Sequence, residues 1–345
     1  RTSTSSRHEP DGEEDGLLIH EDRGAKMGMN MVQFQKGLSL SDFIKRYGSE
    51  EACEKALHAS RWPHGWRCPE CDCERSCTFY REGRKYWKCY RCAHQTTLVS
   101  GTLFEATKLP LSKWFLALYV LTQTKNSVSS LELMRHLGVC YRTAWRIKHK
   151  VMQAMADRES RRQLTGRVEV DDAYLGGEKP GGKVGRGSEN KVPFVAAVQT
   201  SPDGHPQLMR LDPVASFTKE AIGAWSKTAL DESAVVISDG LHCFQAVAVS
   251  GAAHQAHRVG SGRQSVEHIE FRRVNMLLGN LKTSISGTYH AFDFRKYAHR
   301  YLAEVQYRFN RRFRLAEMLP RLLRASVLAQ PYSESALRLE VARVC

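Results

Sequence analysis

The sequence predicts a multidomain α/β chain, and three patterns carry that expectation. Two Cys-x-x-Cys pairs, Cys68/Cys71 and Cys89/Cys92, stand 17 residues apart (72 to 88). A helical stretch at 109–157 holds two short helices around the turn Gly138-Val139-Cys140. From about residue 165, strand and helix signals alternate, and two strands end in acid: Val168-Glu169-Val170-Asp171-Asp172-Ala173-Tyr174 and Ala234-Val235-Val236-Ile237-Ser238-Asp239. With 345 residues, 42% of them hydrophobic, the chain is long enough for two or three domains and can bury a core. Its 51 Lys and Arg against 37 Asp and Glu give a formal charge of +14, which favours a polyanionic partner, nucleic acid first. No apolar run approaches the roughly 18 residues that span a bilayer, and no signal peptide is visible, so a cytosolic chain is expected.

Residues 1–26 are polar and charged, with little to bury, and read as a disordered tail extending to about residue 30. The chain starts without Met, while Met27, Met29 and Met31 stand just before the first periodic segment, so the tail reads as an extension ahead of the folded part. A short helical segment follows over 31–60: Ser39 and Asp42 offer caps, Phe43, Ile44 and Tyr47 an apolar face, and Glu50 to Ala59 a second helix. Six of the ten cysteines then crowd between Cys68 and Cys92. In a cytosolic chain, C-x₂-C…C-x₂-C at this spacing predicts a zinc ribbon over 61–105 with Cys68, Cys71, Cys89 and Cys92 as the four ligands. Cys73 and Cys77 fall on no second knuckle and are expected to be bystanders. So small a core needs its metal to fold. Arg81, Arg84, Lys85 and Lys88 give the ribbon a basic surface for DNA.

In the 109–157 region, Trp114, Phe115, Leu118 and Leu121 make one apolar face. Ser129 to Leu137, the turn, and Tyr141 to Met152 then match a helix-turn-helix. Its second helix carries Arg142, Arg146, Lys148, His149 and Lys150, as a recognition helix does. The bland alternative is a helical hairpin with a solvated basic face. From 165 to 292, three sequential strands are followed by helix, strand, helix and a late helix, the order of a ribonuclease-H-like fold. Glu169 and Asp171 share one strand face. Asp172 falls on the other and is expected to be structural. A carboxylate at the end of a buried strand calls for a cation, and Asp171 and Asp239 are the candidates for Mg²⁺ or Mn²⁺. On the late helix Asn275, Gly279 and Lys282 fall on one face. A basic helical region, 293–345, closes the chain, with Arg308, Arg311 and Arg312 among nine Arg and Lys between 295 and 324.

The combination resembles a known family: insertion-sequence transposases with an N-terminal zinc ribbon and a DDE-type catalytic domain, the ISXO-like group. The residues that carry it are the four cysteines, Val168-Glu169-Val170-Asp171, Ser238-Asp239-Gly240, Val274-Asn275 through Asn280-Leu281-Lys282, Ser286-Gly287-Thr288-Tyr289-His290 and Tyr307-Arg308-Phe309-Asn310-Arg311-Arg312. The resemblance implies Asp171 and Asp239 as the first two acids, Asn275 in the third place, which is Glu in most such enzymes, and Lys282 as the accompanying lysine. Glu267 and Glu270 stand nearby as alternatives for the third ligand. It implies cleavage at the element ends and transfer of the freed 3′-OH to target DNA, both in-line displacements served by two metal ions with Asp171 bridging them. DNA contacts are expected from Arg142, Arg146, Lys150, Lys85, Lys88, Arg308, Arg311 and Arg312. The expected partners are double-stranded DNA, as element ends and target, and further copies of the chain assembled on it, in the bacterial nucleoid. Two other functions fit the residues: a nuclease of the same fold that does not join strands, and a zinc-ribbon/helix-turn-helix DNA-binding protein with a decayed site.

Overall fold

The structure, a computed structural model, describes residues 31–177, 188, 190–257, 268–289 and 292–339. The predicted tail, most of the Gly- and Lys-rich loop between 176 and 191, Glu267 and His290 lie outside the described residues. Met31–Phe34 (α1) is by itself one turn of helix. From Gln35 onward the chain forms one compact unit.

In that unit α2 (Leu40–Tyr47) and α3 (Glu50–Arg61) begin at Ser39 and Ser49, whose hydroxyls accept the backbone N–H groups of Asp42 and Ala52. The ribbon follows as β1 (Ser76–Arg81), β2 (Arg84–Cys89) and a third strand, β3 (Gln95–Thr97), paired antiparallel in sequence order. Then come α4 (Leu111–Gln123), α5 (Ser130–Leu137) and α6 (Tyr141–Glu159). Gly138 at φ 60° ends α5 in the left-handed conformation that a Cβ disfavours, and so turns the chain into α6.

The second sheet contains β4 (Arg167–Leu175), β5 (Val192–Thr200), β6 (Pro206–Pro213), β7 (Val235–Ser238) and β8 (Ala253–Ala256) in the order β6-β5-β4-β7-β8. β4, β5 and β6 form an antiparallel meander, whereas β7 and β8 run parallel to β4. α7 (Lys219–Ala229) makes the crossover from β6 to β7, and a 3₁₀ helix, His242–Ser250, stands where an α-helix was expected. Val168 and Val170 pack with Trp225 and Phe244 on one face of the sheet. Ala173 and Leu175 pack with Leu278 and Leu281 of α8 (Arg272–Thr288) on the other. Period-2 alternation thus divides β4 between two cores, as it must in a sheet covered on both sides.

α9 (Phe294–Phe309), α10 (Leu315–Leu328) and α11 (Glu334–Arg338) close the chain. They are not a solvated basic appendage. Tyr301 and Leu302 of α9 join the sheet core, while Met318, Leu319, Leu322 and Leu323 of α10 join the core built by α3 to α6. α6 runs between these cores: Ile147, Val151 and Met155 belong to one and Met152 to the other.

Charges at this junction are satisfied inside the protein. Glu159, at the end of α6 and 2% exposed, accepts hydrogen bonds from Arg311 Nη1 at 2.5 Å and Asn310 Nδ2 at 2.6 Å. Arg311 also lies 3.5 Å from the centroid of the Tyr307 ring. Removing one partner of a buried pair strands the other charge away from water. We therefore expect Glu159→Ala to lower unfolding stability by about 3–5 kcal/mol, read from the denaturation midpoint at constant slope.

Candidate functional site

The two cysteine knuckles have the same local geometry. In the first, Asp72 adopts φ 57°, its N–H returns to the Cys68 carbonyl at 2.9 Å, and the Cys68 N–H donates to the Cys73 carbonyl at 3.0 Å. In the second, Ala93 adopts φ 58°, its N–H returns to Cys89 at 3.1 Å, and the Cys89 N–H donates to His94 at 2.9 Å. These turns bring four sulfurs together: Cys68 to Cys92 3.5 Å, Cys71 to Cys92 3.5 Å and Cys71 to Cys89 3.6 Å. A tetrahedron with the usual Zn–S length of about 2.3 Å has sulfur–sulfur edges of about 3.8 Å. The quartet fits zinc. Cys73 and Cys77 turn instead to the carbonyls of Arg75 and Lys88.

The acidic site forms where β4 passes β7. Parallel pairing sets Glu169 beside Ile237, and continuing that register by two residues puts Asp171 level with Asp239. Asp239 sits just past the strand, where its Oδ1 accepts the Leu241 N–H at 3.0 Å and Gly240 turns at φ 84°. Ser238 behind it is fully buried and shares a 2.9 Å hydrogen bond with His254 Nε2. One carboxylate oxygen each from Asp171, Asp172 and Asp239 lies within 4.8 Å of the others.

Asp172 is thus part of the group, although alternation sets its Cβ on the face opposite Asp171. Asp239 lies beyond the end of β7, at the rim of the sheet, where side chains from both faces of β4 can reach it. Asn275 lies half-buried in the first turn of α8, and Lys282 two turns on is exposed. Glu270 is committed elsewhere. It pairs with Arg167, which holds its carboxyl below the usual carboxylate range.

Glu169 has the clearest structural task. Its carboxylate is 1% exposed, and Oε2 accepts the backbone N–H groups of Arg273 and Val274 at 2.9 and 3.0 Å, while Oε1 accepts from Arg167 Nη1 at 2.7 Å. The sequence signal for it is an acid two residues before Asp171 on the same strand face.

The expected DNA contacts divide sharply. Arg142 and Arg146 lie on the exposed side of α6 and both pair with Glu334 of α11, at 2.9 and 3.6 Å. Lys85 is exposed with its ammonium 5.2 Å from the Trp87 ring centroid, and Lys88 is exposed on the opposite face of the ribbon. The other four bond within the fold. Lys150 is buried and donates to the Leu103 carbonyl at 3.0 Å. Arg308 donates to the carbonyls of Thr124 and Lys125, Arg311 pairs with Glu159, and Arg312 holds the carbonyls of Pro206 and Gln207 and lies over the Phe309 ring. Their guanidinium groups satisfy backbone carbonyls and a buried carboxylate within the fold. Lys148 and His149 are inside as well.

Comparison with known proteins agrees with this architecture. Residues 163–310 match the ISXO2-like transposase domain, and residues 48–95 match the transposase zinc-ribbon domain. The chain thus resembles insertion-sequence transposases in both its zinc ribbon and its transposase domain. A relative from Halobacterium salinarum, described as an uncharacterized protein in transposable element ISH50, is 28% identical over 218 residues, covering 58% of this chain and 71% of the relative. The transposase domain contains the acidic group, and the zinc-ribbon domain contains the cysteine quartet. Among the described residues, no helix is long and apolar enough to cross a membrane.

Metal analysis of reduced protein should find one zinc per chain at the quartet. Chelation should strip order from residues 61–105 and leave the sheet domain folded, as amide exchange can show. Lys150→Met should leave the salt dependence of DNA binding unchanged. Arg142→Ala and Arg146→Ala should each lower its slope by about 1, as loss of one phosphate contact does.

Proposed function

We propose that the protein is a DNA transposase that binds the ends of its element as double-stranded DNA, cleaves them and joins the freed 3′-OH to target DNA. The observation that carries this reading is the convergence of Asp171, Asp172 and Asp239 at the rim of adjacent parallel strands, within the stretch that matches a transposase domain. Strand order β6-β5-β4-β7-β8, with an antiparallel meander followed by parallel strands, supports a ribonuclease-H-like catalytic domain.

The donor set suits a hard divalent cation, Mg²⁺ or Mn²⁺: carboxylate oxygens from three residues close enough to share one ion. Asp171, Asp172 and Asp239 would hold it, with the side-chain carbonyl of Asn275 as a neutral fourth donor. Bound there, such an ion supplies the positive charge that in-line displacement at phosphorus needs. The protein's own residues do the rest. Lys282, exposed on α8, offers a point charge to a phosphate beside the scissile bond. Arg142 and Arg146 on α6, together with Lys85 and Lys88 on the ribbon, neutralise DNA backbone and position the duplex. The hairpin of α5 and α6 acts as a helix-turn-helix that presents only its solvent side, and assembly of several copies on DNA would bring two element ends together.

Asp171→Ala and Asp239→Ala should each cut cleavage and joining by at least about a hundredfold, beyond what losing a residue that merely orients a metal ligand costs, while DNA affinity stays as in the wild type. Asn275→Ala should lose less metal affinity yet be slow, because the lost donor is neutral. Cleavage without joining in the intact protein would reduce the reading to a nuclease, and wild-type cleavage by Asp171→Ala would end it.

A further inference from the structure

We propose that Glu169 is the positioning residue of the acidic site, its buried carboxylate setting where the first turn of α8, and with it Asn275, stands against Asp171. The inference rests on the metal-ion reading of that site. Two kinds of force hold α8 to the sheet. One is apolar packing of Val274, Leu278 and Leu281 against Ala173, Leu175 and Ala196. Apolar burial is non-directional and tolerates sliding or rotation of a helix along the sheet. The other is hydrogen bonding, which is directional and weakens steeply with misalignment: the Glu169 carboxylate holds the helix backbone, and Arg273 Nε donates from its side chain to the Gly204 carbonyl at 2.6 Å.

The placement of those bonds is what matters. The first N–H groups of a helix have no partner within it, and an anion there is also favoured by the helix dipole. Glu169 Oε2 takes two of them, Arg273 and Val274, and Asn275 is the next residue along the helix. On the strand side, Glu169 and Asp171 are two residues apart on one face of β4, a separation of about 6.7 Å. One side chain therefore links the backbone that carries Asn275 to the backbone that carries Asp171. Its second oxygen is held by Arg167 at 2.7 Å, and the same guanidinium reaches Glu270 in the 3₁₀ turn that leads into α8. Strand, turn and helix are locked by one carboxylate and one guanidinium. With three donors on it, the buried charge of Glu169 is compensated.

The test uses the full-length, zinc-loaded protein titrated with Mn²⁺ alone, without DNA, by calorimetry or electron paramagnetic resonance. Glu169→Ala leaves the Arg273 and Val274 N–H groups without their acceptor. Its Mn²⁺ affinity should fall about tenfold or more, the scale for losing a partner that orients a metal ligand, and exchange of those two amides should quicken. Glu169→Gln keeps an oxygen for both amides and loses the anionic contact with Arg167, so it should retain amide protection and show a smaller, measurable loss of affinity. Asp171→Ala gives the reference in which binding at the site is abolished. Glu169→Ala that is folded and binds Mn²⁺ as the wild type does overturns the proposal. Should that variant not fold, wild-type affinity in Glu169→Gln overturns it instead. Wild-type affinity in Asp171→Ala is a different failure: it removes the metal site itself, and the positioning role with it.

Discussion

A helix rich in Lys, Arg and His can be buried on most sides only if each charge meets a partner there, and much of this fold is arranged around that demand of α6. Lys148 is fully buried, where it donates to the Val128 carbonyl and the Tyr289 hydroxyl and lies 3.9 Å from Glu304; burial lowers its pKa to about 8. His149 stacks on Trp145 and accepts from Arg300 at 3.2 Å, and burial, with Arg300 next, pushes it down to about 2, so it stays neutral. Lys150 and Glu159 find Leu103 and Arg311. The partners come from several segments of the chain, α9 supplying both Glu304 and Arg300. The ribbon's exit, the end of α8 and the C-terminal helices therefore converge on α6 and meet its buried Lys and Glu charges.

That arrangement explains how far the sequence could be read. Strand alternation correctly separates Val168 and Val170 from Glu169 and Asp171, because the two faces of β4 meet different cores. The spacing of Cys68, Cys71, Cys89 and Cys92 is equally legible, since each knuckle is a local turn closed by its own backbone hydrogen bonds. Asp172 is not legible by alternation. The rule gives the direction of Cβ, whereas the meeting with Asp239 depends on where β7 ends. Nor does a basic composition say which arginines face water. Arg142 and Arg308 look alike in the sequence, but one stands on the open side of α6 and the other caps the carbonyls of Thr124 and Lys125.

The same limit applies to the C-terminal region. Its large apolar residues at four-residue spacing, Tyr297, Tyr301, Val305 and Phe309, mark a helix with an apolar face, and α9 has one. What that face covers is a long-range fact. Leu211 and Met209 of β6 donate backbone N–H groups to Gln306 and Asn310, so α9 lies along the edge strand of the sheet. An unpaired strand edge invites association with other chains, and side-chain amides here take up its donors.

The parallel neighbours β4 and β7 also bear on how the molecule comes into being. Antiparallel strands can zip from a hairpin, but a parallel pair must wait for its crossover, here the stretch that contains β5, β6 and α7. Asp171 and Asp239 therefore meet only after a loop of some seventy residues has closed, a slow, non-local event that local helix and hairpin formation does not require. A nascent or truncated chain that stops before Val235 has every zinc ligand and all of α6, yet only part of the acidic group. Such a fragment also lacks Arg300, Glu304 and Arg311, which meet the buried groups of α6, so the acidic group and the helical core alike wait for the last helices of the chain.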